Sequence, residues 1–322
     1  MPGNTIRIAT DVGGTFTDLV YFEIDPQNGK SRIVTAKTDT TNPDYESGVL
    51  NVLEKSEISP ASVKFFAHGT TVVINSLTER KGAKVGLITS EGFRDVLEIA
   101  RGNRPDFFNL HYEKPKPFVS RNLRLELPGR ISYKGVEVKP MDLSGLPKIL
   151  DYFRLEGVEA IAICLLHSYA NTSHEKAAFS EVHKLWPDVS VVCSHQITRE
   201  WREYERTSTT VLSAYVQPIA ERYLSRLDSR LKEKGFANSP YIMQSNCGVA
   251  SLELIKQIPV AMVESGPASG FLGAAELGKL IGEPNVLALD IGGTSAKCSL
   301  IENGQVKIMT DYWIERNRTT AG

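Results

Sequence analysis

The chain has 322 residues, of which 41% are hydrophobic and 23% are charged, and its formal net charge is −1. These fractions are typical of a globular protein, and the length predicts about two domains. The balanced charge gives no electrostatic case for binding nucleic acid or a membrane surface, and no apolar run approaches the roughly 18 residues of a membrane span.

The first predicted elements are three consecutive strands, over residues 6–12, 15–24 and 31–37. The sequence D-V-G-G-T at residues 11–15 connects the first two strands, and we call it the first glycine turn. An acid, two glycines and a hydroxyl between strands predict a site for phosphate and a divalent cation. A single copy is weak evidence, because Gly-Gly after a strand is also a common hairpin turn.

The residues of the first glycine turn have separate predicted roles. Glycine has no Cβ and accepts positive φ, so the amides of Gly13 and Gly14 can approach an anion closely. The hydroxyls of Thr15 and Thr17 add hydrogen-bond donors. Asp11 repels phosphate, and its expected catalytic role is therefore to hold Mg²⁺, which bridges the phosphate oxygens.

The next predicted elements alternate between helix and strand, which predicts α/β layering. They are a helix over 43–55, a strand over 63–68, a helix reaching about residue 80 and a strand over 84–89.

A candidate substrate site lies where the strand over 63–68 gives way to the following helix. Thr70 and Thr71 occupy the predicted helix start, where backbone amides favour an anion or a carbonyl. Asn75 follows on the same helix face. His68 is either a residue of a substrate cleft or a hydrogen-bonded core histidine.

The segment over residues 101–128 is irregular and contains four prolines. A plain loop of this length is uncommon in a compact domain, so the segment is either functional or docks on another domain. Guanidinium groups suit a carboxylate, a phosphate or a lactam carbonyl. Arg101 is the predicted substrate-binding arginine, whereas Arg94 has acidic neighbours with which it could form surface ion pairs.

Strands and helices continue to alternate through the middle of the chain. The predicted elements are a helix over 143–155, a strand over 158–165, a helix over 173–185, a strand over 189–193, a helical run over 198–234 with a possible break at Pro218, a strand over 241–244 and a helix rich in small residues over 265–280. His167, His174 and His183 lack metal-ligand spacing, so no zinc site is predicted.

The first motif recurs near the other end of the chain. D-I-G-G-T at residues 290–294, the second glycine turn, follows an apolar run over 286–289. Asp290 is the second predicted catalytic and metal-holding acid, and Lys297 either reaches a phosphate or is a surface strand lysine. The predicted phosphate ligands of this turn are Gly292, Gly293, Thr294 and Ser295. Two copies imply two related halves that face each other across a nucleotide cleft.

These motifs together resemble the hydantoinase/oxoprolinase family, within the superfamily of actin, sugar kinases and heat-shock chaperone ATPases. The family includes N-methylhydantoinase, 5-oxoprolinase, related lactamases and ketone carboxylase subunits such as that of acetone carboxylase. The resembling segments span nearly the whole chain, in an order and density that make the resemblance specific. They are Asp11–Asp18, His68–Thr71 with Asn75, Gly86–Thr89, Gly92–Asp95, Leu97–Ile99 with Arg101, Glu203–Ser208, Ser265–Ala268 and Asp290–Thr294.

The resemblance implies an α/β fold of the actin-like ATPase (ribonuclease H-like) type and the use of ATP and Mg²⁺. The implied reaction is ATP-dependent hydrolysis of a cyclic amide such as a hydantoin, 5-oxoproline or a related lactam. Phosphorylation of the amide oxygen removes the amide resonance and creates a leaving group. The family divides this work, with phosphorylation expected here and hydrolysis expected in a partner, a hydantoinase B-type subunit.

The resemblance also implies how the chain is organised. An N-terminal region over 1–200 holds the first glycine turn, and residues 201–322 form the start of the hydantoinase A region. Family chains are considerably longer, so we expect a truncated chain whose second half is incomplete and lacks the adenine pocket.

Two other functions stay open at this point: a small-molecule kinase of the same superfamily, or a nucleotide-binding fragment without turnover. No signal peptide is visible, and the four cysteines lack C-x-x-C spacing. We therefore expect a cytoplasmic protein with reduced thiols.

Overall fold

The structure is a computed structural model of the chain and describes residues 6–24, 29, 31–101, 108–291 and 296–309. The chain divides into two compact units. The first comprises the described residues of Met1–Asn75 and Ala220–Tyr312, and the second comprises those of Ser76–Ile219. The predicted regions over 1–200 and 201–322 stay predictions.

Strands and helices alternate along much of the described chain. The strands are β1 (Ile6–Val12), β2 (Phe16–Ile24), β3 (Ser31–Asp39), β4 (Val63–Thr70), β5 (Val85–Ser90), β6 (Arg124–Leu127), β7 (Arg130–Ile131), β8 (Glu137–Lys139), β9 (Ala160–Cys164), β10 (Ser190–Cys193), β11 (Tyr241–Met243), β12 (Val249–Ser251), β13 (Val286–Ile291), β14 (Ala296–Glu302) and β15 (Gln305–Val306). The helices are α1 (Tyr45–Lys55), α2 (Val72–Thr78), α3 (Val96–Ile99), α4 (Leu146–Leu155), α5 (Ser173–Leu185), α6 (Ser194–Ile197), α7 (Glu203–Glu233), α8 (Leu252–Gln257) and α9 (Ser265–Ile281).

The predicted elements are confirmed, with differences at their ends. α7 begins at Glu203 rather than at residue 198 and continues through Pro218. Its start is late because the Thr198 hydroxyl accepts from the Glu200 amide and the Glu200 carboxylate accepts from the Arg202 amide. These local bonds favour turns over helix. The elements that were not predicted are short: β6, β7, β8, β12, β15, α3, α6 and α8. Elements of two to six residues leave little periodic signal, and β6 lies within the segment that was predicted to be irregular.

The first unit is built on a six-stranded sheet with the order β12-β11-β4-β1-β2-β3. β1 runs parallel to β4 and antiparallel to β2, so it lies in the interior of the sheet. Alternation along β1 buries Ile8, Thr10 and Val12 on the face that α1 covers. Asp11 and its cross-strand neighbour Asp18 therefore lie on the opposite face.

A second sheet of the first unit, β13-β14-β15, follows α9 directly. β13 and β14 form a hairpin in the register Ile291↔Ala296, the counterpart of Val12↔Thr17 between β1 and β2. We call these the second hairpin and the first hairpin. In each, four residues of sequence separate the last paired positions, so the strands that flank the two copies of the motif pair in the same register.

The second unit contains a four-stranded parallel sheet with the order β10-β9-β5-β6. β9 is buried along its whole length, as its unbroken apolar run predicts for a strand covered on both faces. Phe153 of α4 packs over Gly86 of β5, where a Cβ atom would lie within 2.6 Å of the ring. None of the helices in the described residues combines the length and the apolar character that crossing a bilayer requires.

Candidate nucleotide site

Asp11 lies near the end of β1, beside Asp18 of β2 and Gly69 of β4. A Cβ atom on Gly69 would lie 2.5 Å from Asp11 Oδ1, and one on Gly266 of α9 would lie 3.0 Å from the same oxygen. The Asp11 carboxylate therefore fits between β4 and the first turn of α9 only because glycine occupies both positions.

Asp11 Oδ1 is buried and has no hydrogen-bond partner among the described residues. Burial, together with the charges of Asp18 and Asp290, raises the pKa of Asp11 to about 6, while Lys297 acts in the opposite direction. Because the charge of Asp290 acts on Asp11, the two predicted metal-holding acids share one electrostatic environment. A buried carboxylate oxygen without a partner, close to other carboxylates, fits a hard divalent cation such as Mg²⁺.

The first glycine turn is held closed by its own backbone and by Thr40. The Gly13 amide donates to Phe16 O at 2.9 Å, and the Thr40 hydroxyl donates to Gly13 O at the same distance. The Gly13 amide is thus already used within the turn. Gly14 and Thr15 are exposed, and their amides donate to no other described residue. These two amides are the ones that remain available to an anion.

Thr17 lies on the buried face of β2. Its hydroxyl is 3.1 Å from the Thr40 hydroxyl, and its side chain packs against Gly48 of α1. The side chain is completely buried, so in this structure it supports the hairpin from the core. Its predicted contact with phosphate stays a prediction.

The second glycine turn is described only at its ends. Gly292, Gly293, Thr294 and Ser295 lie outside the described residues. Asp290 is exposed and pairs across the hairpin with Lys297, which forms an ion pair with Glu264. Lys297 is therefore largely enclosed and ion-paired, and its alternative role as a phosphate ligand stays a prediction.

α9 begins directly beside Asp11. Glu264 precedes it in the left-handed conformation, with φ of 60°. The Ser265 hydroxyl is completely buried and has no partner among the described residues. The first turn of a helix carries free N–H groups and a partial positive charge, which favour an anion close by. The start of α9 therefore presents N–H groups suited to an anion beside Asp11, the predicted metal-holding acid.

His68 is completely buried in β4. Its Nδ1 lies 2.8 Å from the Thr10 hydroxyl and its Nε2 lies 2.6 Å from the Tyr223 hydroxyl of α7. Burial lowers the pKa of His68 to about 3, so the ring is neutral at physiological pH. The ring has no exposed surface for a substrate in this structure, and its assignment to a substrate cleft stays a prediction.

The remaining predicted substrate-binding residues of the first unit surround the start of α2. Thr70 is buried, and its hydroxyl accepts from the Val72 amide. Thr71 is half-buried, and both its amide and its hydroxyl donate to Val12 O. Asn75 donates to the Thr71 hydroxyl at 3.3 Å. These contacts tie α2 to the end of β1, one residue beyond Asp11.

Arg101 belongs to the second unit, where Glu205 of α7 holds its guanidinium in a two-point ion pair. Hydrogen bonding to Glu205 raises the pKa of Arg101. This pairing satisfies the arginine without a ligand, and its role in substrate binding stays a prediction.

A cavity of about 900 Å³ adjoins Asp11, and its lining extends along β1, β2 and β3 to the end of α1. Asp11 and Asp18 lie at its wall with Gly69, and Gly266, Ser269 and Gly270 of α9 form another part of the lining. The small residues of α9 leave this space open. The cavity is large enough for a small organic molecule next to the acid.

Sequence reasoning missed a polar cluster in the second unit. Glu175 is completely buried and accepts hydrogen bonds from the Leu165 amide, the Ser194 hydroxyl, and the amide and Nδ1 of His195. The ligand atoms of Glu175, Cys193 and His195 lie within 4.8 Å of one another, a spacing that a metal ion could bridge. Cys193 and His195 are two positions apart, but Glu175 lies 18 and 20 residues before them, so no short spacing motif includes all three. Four hydrogen bonds satisfy the carboxylate without an ion.

Comparison with known proteins gives consistent matches along the chain. A family model described as the hydantoinase/oxoprolinase N-terminal region matches residues 7–185, and one described as hydantoinase/oxoprolinase matches residues 206–321. Caprolactamase subunit alpha of Pseudomonas jessenii is 34% identical over 319 residues, which cover 95% of this chain and 44% of the relative.

Two solved structures resemble the chain. A nucleotide-free structure of acetone carboxylase, from work on ATP-dependent acetone carboxylation, matches with a TM-score of 0.81 and 27% identity over 94% of this chain and 44% of its own. The ATP-dependent caprolactamase of Pseudomonas jessenii matches with a TM-score of 0.76 and 34% identity over 91% of this chain and 43% of its own. The chain thus spans less than half the length of these proteins.

Proposed function

The chain belongs to the hydantoinase/oxoprolinase family, and from this premise we propose that it is the ATP-handling part of an ATP-dependent cyclic amide hydrolase. The likeness to both solved structures confirms the predicted α/β fold of the actin-like ATPase type. The proposed substrate is a hydantoin, 5-oxoproline or a related lactam. The proposed site of action is the cytoplasm, where ATP is available.

The observation that carries this proposal is the state of Asp11. Its Oδ1 is buried without a partner, and the charges of Asp18 and Asp290 act on it. A charged oxygen left in this state is costly unless a cation binds it. Mg²⁺ held by Asp11 and Asp290 would relieve that cost and neutralise part of the charge of a triphosphate.

The other residues of the site supply binding and orientation. The exposed amides of Gly14 and Thr15 and the first turn of α9 would bind phosphate oxygens. The cavity beside Asp11 would hold the cyclic amide next to the phosphate that is transferred. When ATP and the cyclic amide are bound side by side, phosphoryl transfer takes place within one complex. This positioning lowers the entropic part of the barrier.

The chemistry requires ATP because an unstrained cyclic amide resists attack by water. Transfer of the terminal phosphoryl group to the amide oxygen breaks its bond to ADP and forms a new P–O bond. A water molecule then adds to the activated carbon and the C–N bond breaks, so that the ring nitrogen leaves with a proton and the carbon becomes an acyl phosphate. A second water molecule hydrolyses the acyl phosphate to a carboxylate and inorganic phosphate. We assign the hydrolytic steps to a hydantoinase B-type partner, a proposal supported by the caprolactamase relative, which is itself a subunit.

A second candidate is ATP-dependent activation of a ketone for carboxylation. It is favoured by the TM-score of 0.81 with acetone carboxylase. Both candidates begin with phosphoryl transfer to a carbonyl-derived oxygen, and they would use Asp11 and Asp290 in the same way. They differ in the second step, in which water attacks the activated amide carbon or the activated ketone attacks a carboxyl donor. The side chains that line the cavity would select between these two substrates.

The test uses the purified chain, with and without a hydantoinase B-type subunit, supplied with ATP and Mg²⁺. The substrates are hydantoin, 5-oxoproline, caprolactam, and acetone with bicarbonate, and mass spectrometry identifies the products. Ring opening that depends on ATP supports the amide hydrolase, and carboxylated acetone supports the second candidate. A stable phosphorylated product would indicate a kinase, and nucleotide binding without turnover would indicate a binding fragment.

Two variants connect the activity to the site. Asp11→Ala and Asp290→Ala should each lower ATP turnover by on the order of 100-fold or more, since each removes a charged group that positions the metal. Asp151→Ala is the matched control, because its side chain is 75% exposed and lies in the second unit. Full turnover by Asp11→Ala would eliminate the role assigned to that residue.

A further inference from the structure

The two hairpins are equivalent in register but differ in charge at one position. In the first hairpin Asp11 lies opposite Asp18, and in the second Asp290 lies opposite Lys297. Asp18 and Lys297 each follow their glycine turn at the same distance, seven residues after the acid. The second hairpin thus carries a lysine where the first carries an acid.

Lys297 also forms an ion pair at the start of α9, where buried polar atoms have no hydrogen-bond partner among the described residues. Its Nζ forms an ion pair with Glu264, and the two side chains are only 24% and 16% exposed. Glu264 is followed by Ser265, whose buried hydroxyl has no partner among the described residues, and by Gly266, which lies against Asp11. Glu264 thus links the Lys297 ammonium to the start of α9, which packs against the Asp11 carboxylate.

The charges around Asp11 favour one divalent cation together with an anion. Asp18 is paired with Lys37 at 3.2 Å, and these two charges cancel. The remaining groups, Asp11, Asp290, Glu264 and Lys297, carry a formal charge of −2 together, which a single Mg²⁺ cancels. A triphosphate bound to that ion still carries unbalanced negative charge, and an ammonium group is a strong phosphate ligand. Lysine has a long, flexible stem, so its head group can turn from one carboxylate to a nearby phosphate.

We propose that Lys297 is a phosphate-binding residue of this site and that Glu264 holds its ammonium until the triphosphate arrives. The inference rests on the proposed function, because it assumes that magnesium triphosphate binds at Asp11. The competing explanation is that the ion pair only fastens β14 to the start of α9. The two accounts differ at Glu264. If Lys297 binds phosphate, loss of the Glu264 charge should tighten binding, whereas if the pair is a fastener, loss of either partner should weaken binding equally.

The experiment measures dissociation constants by calorimetry for magnesium tripolyphosphate and Mg-ATP. Lys297→Met keeps most of the stem and should weaken binding by about tenfold or more, the effect of losing one charge-assisted contact. Glu264→Gln keeps the shape of the side chain and should tighten binding severalfold, because it removes the competitor for the ammonium. Lys297→Arg should restore part of the loss in Lys297→Met.

The outcomes separate this inference from the function on which it rests. If the unaltered chain binds neither probe, the proposed function fails and the inference fails with it. If the unaltered chain binds but Lys297→Met binds equally well, only the inference is overturned. A loss of the same size in Lys297→Met and Glu264→Gln would show that the ion pair is a structural fastener. Thermal unfolding of each variant checks that the chain is folded in every measurement.

Discussion

The first hairpin lies inside a six-stranded sheet with β4 and β3 on its two sides, whereas the second forms a three-stranded sheet with β15. Ile8 in the first is 2% exposed, and Leu287 at the equivalent position of the second is 71% exposed. The register is nevertheless the same. The glycine turn and its flanking strands therefore determine the local shape, and the surrounding elements determine how much stability that shape contributes.

The largest expected difference between the hairpins concerns core packing. Ile8→Ala should destabilise the protein by about 2–5 kcal/mol, because it removes buried methyl groups and leaves a cavity. Leu287→Ala should change stability by less than about 0.5 kcal/mol, because the side chain is exposed. Urea unfolding of both variants measures the two effects. Equal losses would mean that the second hairpin is as well covered as the first.

The buried, hydrogen-bonded His68 beside the first hairpin should make the stability of the protein sensitive to acid. The pKa of His68 is lowered to about 3, so the unfolded chain binds a proton more readily than the folded protein below pH 6.5. Stability should fall as the pH drops from about 6.5 towards 3, by up to about 1.4 kcal/mol per pH unit. His68→Gln should flatten this dependence in urea unfolding series at different pH values.

The matched control for that series is His111→Gln, whose side chain is exposed. It should leave the pH dependence as it is in the unaltered chain. A His68→Gln protein that keeps the full acid sensitivity would contradict the buried, neutral state of this ring.

The ionised carboxylates of the two hairpins should differ in how much they destabilise the metal-free protein. The pKa of Asp11 is raised to about 6, so the folded protein keeps its proton more tightly than the unfolded chain does. Stability without metal should therefore fall as the pH rises from about 4 through 6. Asp11→Asn should remove that fall and stabilise the metal-free protein at pH 8 by about 2–3 kcal/mol.

Asp290→Asn provides the comparison, because Asp290 is exposed and its charge is accessible to water. Its effect on stability at pH 8 should stay below about 0.5 kcal/mol. Chemical unfolding in the presence of a chelator measures both variants. A destabilised Asp11→Asn at pH 8 would mean that the carboxylate already has a partner in the free protein.

The smallest effect concerns the glycines of α9. Gly266→Ala places a Cβ atom 3.0 Å from Asp11 Oδ1, whereas Gly270→Ala meets nothing within 4 Å. Gly270→Ala should stabilise the protein by about 0.5–1 kcal/mol through helix propensity. Gly266→Ala should lose that gain and weaken Mg²⁺-dependent nucleotide binding. Identical binding by the two variants would show that the space beside Asp11 is not needed.

Much of the fold followed from sequence patterns that are local. The strands of the first hairpin and α5 were predicted because apolar periodicity and turn residues mark their limits. The pairing of His68 with Tyr223 was not predictable, because the two residues are 155 positions apart. The two-unit division is equally hidden, since the first unit is assembled from two separate stretches of the chain.

For the candidate site, as for the fold, sequence motifs indicated individual residues but not the long-range contacts between them. The acids at 11 and 290 were identified from the repeated motif, and their shared role as metal ligands stays a prediction. The ion pair between Lys297 and Glu264 depends on how α9 packs beside β14, which no local pattern specifies. The sequence did contain one signal, since Lys297 occupies the position that Asp18 has in the first copy.

The central claim is that Asp11 and Asp290 hold a single divalent cation together with a triphosphate. Electron paramagnetic resonance can count Mn²⁺ ions bound to the chain in the presence of tripolyphosphate, in the unaltered protein and in Asp11→Asn and Asp290→Asn. The account predicts one Mn²⁺ per chain, lost or greatly weakened in each variant. Two independent Mn²⁺ sites, or a variant that binds Mn²⁺ as tightly as the unaltered chain, would contradict it.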